Sequence, residues 1–121
     1  MGDQMYQWAQ GSFEAVTPEG RFHIDGFVYK GLGLERIADI DGDDWDITHI
    51  ASGYRVGSIK GLDFNETMKL AAFVADLTDW TAFGAPDQTP DPLLLTKLLM
   101  VSDLMGGALI VTGLDDEQSV H

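Results

Sequence analysis

Through most of the first sixty positions apolar and polar residues alternate with a period of two, and turn-forming residues interrupt the alternation at intervals. Ser12 to Val16 reads as a first strand, closed by Thr17-Pro18-Glu19-Gly20, where Pro at the second place and Gly at the fourth suit a tight turn. Arg21 to Asp25 alternates again, Gly26 interrupts, and Phe27 to Lys30 resumes, the pattern of a bulged strand or a second hairpin corner. A strand from about Leu34 to Ile40 runs into the acidic loop Asp41-Gly42-Asp43-Asp44. Trp45 to Ile50 and Tyr54 to Ile59 then form a pair around Ser52-Gly53.

After Ile59 the period lengthens to about 3.6, the spacing of an amphipathic helix. Asp63 followed by Glu66 has the form of a capping box and predicts a helix over about 64–78. On its wheel Phe64, Thr67, Met68, Leu70, Ala71, Val74, Ala75, Leu77 and Thr78 share one face, which is expected to pack on the sheet. Phe73 and Trp80, seven residues apart, fall on the opposite side among Glu66, Lys69 and Asp76. Thr81 to Pro90 contains Gly84, Pro86 and Pro90 and reads as a loop. Asp91-Pro92 supplies an N-cap and a first helical residue for a helix over about 92–105, apolar almost all round. Gly106-Gly107 stops it, and Ala108 to Thr112 reads as a last strand before the acidic Asp115-Asp116-Glu117. The expected fold is α+β: an antiparallel sheet of four to six strands packed by two helices, in a single domain over 1–121.

Composition supports that fold, because 45% hydrophobic residues suffice for a core without metals or disulfides. There is no cysteine, so thiolate zinc sites and thiol nucleophiles are excluded. The segment Met1 to Tyr6 lacks the basic and apolar regions of a secretion signal, which makes a cytoplasmic location the expectation. The longest apolar run, Leu93 to Met105, contains Lys97 and Asp103 and falls short of the ~20 residues a spanning helix needs.

Charge narrows the partners. Twenty acids against seven Lys and Arg give −13, and both halves of the chain are acidic. A chain of this sign repels nucleic acid and anionic membrane and attracts basic protein surfaces. Six of the acids, Glu35, Asp39, Asp41, Asp43, Asp44 and Asp46, fall within twelve residues, more than a turn requires. Asp39, Asp41 and Asp43 stand where a calcium loop begins, but the sixth and twelfth positions hold Asp44 and Ile50 in place of Gly and Glu. His23, Asp25 and His49 are the residues from which a small metal or hydrolytic site would be built, without diagnostic spacing. Gly31-Leu32-Gly33 lacks the third glycine and the strand-to-helix setting of a phosphate loop. No complete catalytic motif occurs, so no cofactor and no bound metal are expected.

Trp45 to Gly57, together with Leu77-Thr78-Asp79-Trp80, resembles small uncharacterised acidic proteins encoded by phages and mobile elements, of the anti-CRISPR or anti-defence type. The resemblance spans residues 45–80, carries no catalytic motif and implies an inhibitor acting in the host cytoplasm. With the charge it gives a first functional expectation: a non-enzymatic inhibitor that occupies a basic nucleic-acid-binding surface. Asp39, Asp41 and Asp43 would meet successive Lys or Arg side chains at the roughly 6.6 Å repeat of a strand. Glu35, Asp44 and Asp46 extend that surface, and Phe73 and Trp80 anchor it if exposed. A second expectation is a phage or plasmid assembly protein that forms a homodimer through 92–105. A third is the small metal-binding or hydrolytic domain using His23 and His49.

Overall fold

The structure is a computed structural model, and it describes residues 8–39, 42–84 and 92–111. Six strands form one sheet in sequence order, every neighbouring pair antiparallel: β1 (Ala9–Thr17), β2 (Gly20–Tyr29), β3 (Leu32–Asp39), β4 (Gly42–His49), β5 (Arg55–Ile59) and β6 (Leu109–Val111). Between β5 and β6 the chain forms α1 (Phe64–Ala75) and α2 (Leu94–Leu104). The α+β architecture expected from the two periodicities is therefore present.

Local chemistry explains the turns. Thr17 and Gly20 close the first hairpin, and the Thr17 hydroxyl accepts the Glu19 N–H at 3.1 Å. Lys30 and Gly31 both have positive φ, 50° and 88°, as a two-residue hairpin turn that follows the sheet twist demands. Asp63 caps α1, its carboxylate accepting the Glu66 N–H at 2.8 Å.

Both helices lie on one face of the sheet. Leu32 and Leu34 of β3, Trp45 and Ile47 of β4, Ile59 of β5 and Leu109 of β6 join Met68, Leu70, Ala71 and Val74 of α1 and Leu94, Leu98 and Val101 of α2 in one core. The opposite face is partly covered by the first hairpin. Gly33 alternates with Leu32 and Leu34 and so points away from the helices, and a Cβ there would stand 2.6 Å from the Phe13 ring. The Val16 N–H donates to the Gly53 carbonyl at 2.8 Å, tying the far end of β1 to the β4–β5 turn.

Three departures from the sequence reading bear on function. β4 begins at Gly42, so Asp43 and Asp44 belong to a strand and not to a loop. α1 ends at Ala75 with Asp76 as its C-cap, three residues before the expected end. α2 starts at Leu94, two residues late, and its N-cap Leu93 makes no side-chain capping bond; Asp91, the expected cap, lies outside the described residues, as does the acidic tail.

Candidate functional site

The acidic cluster is arranged by the β3–β4 hairpin. Asp39 pairs with Gly42 and Ala38 with Asp43, so Asp39 and Asp43 lie on different strands. The single alternating row of Asp39, Asp41 and Asp43 expected along one strand is thereby broken by the turn. Asp41 and the side chains of Asp39 and Asp43 lie outside the described residues. The other three carboxylates are half-buried, and two of them are held by ion pairs within the fold. Asp44 and Asp46 alternate with the core residues Trp45 and Ile47, which places them on the face away from the helices. Asp44 pairs with Lys60 at 3.1 Å, and Asp46 accepts from Arg55 at 3.0 Å and from the Ser58 hydroxyl at 2.8 Å. Glu35 stands directly across from Asp46. Burial pushes the Glu35 carboxyl above its ordinary range and repulsion from Asp46 adds to the rise, against the attraction of Arg55.

Phe73 and Trp80 separate completely. Phe73 is 54% exposed on α1, whereas Trp80 is 0% exposed and donates its indole N–H to the Val74 carbonyl at 3.1 Å. A shared surface for the pair required a helix running unbroken to residue 80. Because α1 stops at Ala75, the chain turns back and carries Trp80 into the core, which removes it from any partner-binding surface.

The two histidines do not converge either. His23 is exposed and pairs with Asp25 at 2.9 Å. His49 is buried, with Nδ1 2.7 Å from the Ser52 hydroxyl, Nε2 2.7 Å from the Trp80 carbonyl and its ring stacked on Phe83. A carbonyl can only accept, so Nε2 carries the proton and Nδ1 accepts from Ser52 in the neutral ring. Both nitrogens are thus committed to the core, and no group of three metal-ligating side chains occurs among the described residues. This arrangement does not supply the metal or hydrolytic centre that His23 and His49 were to form.

Burial lowers the His49 pKa from its ordinary 6.5, outweighing the Trp80 hydrogen bond. As pH falls below 6.5 the unfolded chain takes up a proton that the folded chain refuses, so stability is lost on acidification down to the depressed folded value. Wild type should accordingly lose stability more steeply over that window than His49→Gln, by at most about 1.4 kcal/mol per pH unit, the one-proton limit. Glu35 has the opposite sign, destabilising as pH rises through its raised value, and is common to both proteins. Urea unfolding at several pH values reads the difference, and parallel slopes would contradict the buried neutral ring.

Among the described residues, a helix face and a cleft offer surface to a ligand. The first is α2, which buries Leu94, Leu98 and Val101 but leaves Leu93, Leu99, Met100 and Leu104 exposed, Leu104 at 78%. The sequence showed the helix to be apolar all round; only the packing shows which side is left uncovered. The second is a cleft of about 460 Å³ beside the start of α1, lined by Phe27, Trp45 and Phe64. Sequence reading missed it, because Phe64 falls on the packed face of the wheel and yet is 41% exposed.

No protein family, curated protein or solved structure matches this chain. Among the described residues no helix is long and apolar enough to cross a membrane.

Proposed function

We propose that the protein is a non-enzymatic protein-binding module that pairs with a second copy of itself through α2 and presents an acidic exterior to a basic partner. The observation that carries this reading is the exposed side of α2. Leu93, Met100 and Leu104 follow one another at spacings of seven and four, the seam of a helix that packs on another helix. Such a stripe costs solubility unless it is covered. Lys97 and Asp103 lie three residues either side of Met100. Two helices crossing antiparallel at Met100 would set Lys97 of each copy near Asp103 of the other, as a two-fold contact requires. Elsewhere a chain of −13 repels its own copy, so an apolar face with balanced charges is where self-association is least opposed.

Sedimentation at micromolar concentration tests the reading. Wild type is expected to run as a dimer that withstands high salt, and Met100→Glu/Leu104→Glu as a folded monomer. Both positions are exposed in the single chain, so the variant should keep the wild-type far-ultraviolet circular dichroism and unfold cooperatively, losing only the stabilisation that association supplies. A wild-type monomer would sink self-pairing and leave the inhibitor reading, in which an acidic surface including Glu35, Asp44 and Asp46 occupies the basic nucleic-acid-binding surface of a target in the manner of anti-CRISPR or anti-restriction proteins. What favours that second reading is the charge: Arg21, Lys30, Arg55 and Lys60 are each paired with an acid of the same chain, so the uncompensated charge is negative.

A further inference from the structure

The cleft beside α1 arises from a fork in the sheet. The β2–β3 ladder has only three pairs, from Tyr29 with Leu32 to Phe27 with Leu34. Beyond it β2 continues against β1 as far as Gly20, and β3 continues against β4 as far as Asp39. Gly26 is the pivot, where a Cβ would stand 2.3 Å from the Leu34 carbonyl oxygen. Past that point the strands part, and main chain 21–25 of β2 forms no ladder with β3 among the described residues.

The space in the fork has an aromatic wall. Phe27, Trp45 and Phe64 lie with ring centroids 5.8–6.2 Å apart and tilted to one another, and Leu62 completes the apolar lining. Trp45 is only 4% exposed. The other two tryptophans, Trp8 and Trp80, give their indole N–H to the Met68 and Val74 carbonyls. Among the described residues nothing accepts the Trp45 N–H, and that nitrogen is not among the polar atoms sealed from the surface. A buried tryptophan usually finds an acceptor for this group; here the acceptor has to come from outside. The charged lining is Asp25, Asp63 and Arg36, one net negative charge within a chain of −13.

We infer that this cleft binds an extended peptide segment of a partner protein, one apolar side chain with a Lys or Arg two residues to either side of it, laid beside β2. Its main chain would follow the edge of residues 21–25 as an added strand and offer a carbonyl to the Trp45 N–H. Its apolar side chain would rest against Phe27 and Phe64, and the basic side chains two residues away, on the same face of the added strand, would meet Asp25 and Asp63. The site is independent of α2, so it stands whether or not the protein dimerises.

Isotope-labelled full-length protein titrated with a capped Lys-Thr-Leu-Thr-Lys pentapeptide, whose Lys and Leu side chains share one face when extended, and in parallel with Glu-Thr-Leu-Thr-Glu, tests this. The basic peptide is expected to shift the Trp45 indole N–H and the amides of 21–27 and 62–64 saturably, while the acidic peptide leaves them in place. Phe64→Ala, at a position 41% exposed, should weaken binding about tenfold, the effect of removing an apolar anchor. Asp25→Asn, whose side chain is exposed enough to leave folding untouched, should weaken it a few-fold. Shifts absent with both peptides, equal with both, or scattered over the acidic surface and unchanged in Phe64→Ala would overturn the inference.

Discussion

Trp80→Ala is expected to destabilise the protein by about 3–5 kcal/mol, the range for removing a large buried aromatic side chain. Domains of this size are held by roughly 5–15 kcal/mol in all, so this one change removes a large share. Trp80 is fully buried; its ring lies 6.0 Å from His49 and 5.9 Å from Phe83, and its N–H is held by Val74. Removal leaves a void between α1 and β4 and takes one of the two hydrogen bonds from the Val74 carbonyl, which keeps the Leu77 N–H. Phe73→Ala is the contrast, since a side chain 54% exposed should cost about 0.5 kcal/mol or less. Urea unfolding of the two variants separates core from surface at positions that helical spacing alone would treat as equivalent. Similar losses in both would contradict the burial of Trp80.

Gly26→Ala should have the second-largest effect, about 3 kcal/mol, at the upper end of ordinary overpacking. The obstacle 2.3 Å from the new Cβ is the backbone carbonyl of Leu34, held in a strand that is paired on its other side with β4, so neither rotation nor a small shift relieves it. Gly33→Ala meets the Phe13 ring at 2.6 Å, a side chain on a hairpin that can move, and should be milder. The expected consequence at Gly26 is a weakened attachment of β1 and β2, seen as faster hydrogen exchange across residues 9–29 than across β4 and β5. An unchanged exchange pattern and stability would mean that β2 does not approach β3 at this pivot.

The acidic cluster shows where pattern reading reaches its limit. Six acids in twelve residues suggested an exposed row, because sequence counts charges and cannot assign them to one strand or two. The β3–β4 register puts Asp39 and Asp43 on opposite sides of a turn and brings Arg55 and Lys60 from the adjoining segment to Asp46 and Asp44. Those partners are nine and sixteen residues distant in the chain and share no local signature. The histidines teach the same lesson, since an alternating strand was legible around both and the face each occupies was not.

The sequence by itself determined the order and type of the elements. Period-two alternation, a change to a period near 3.6 after Ile59, the Asp63 cap and the glycines at turns are local physics, and they specified a sheet packed by two helices. It also determined the net charge. Tertiary structure decided which apolar residues were left uncovered: Trp80 went inward because α1 ended early, and α2 kept one side bare because the sheet could cover only the other. It also decided that β2 leaves β3 at Gly26 and opens a cleft over Trp45. These outcomes depend on backbone approach and on which long-range surfaces meet, and a chain of residues carries that information only once it is folded.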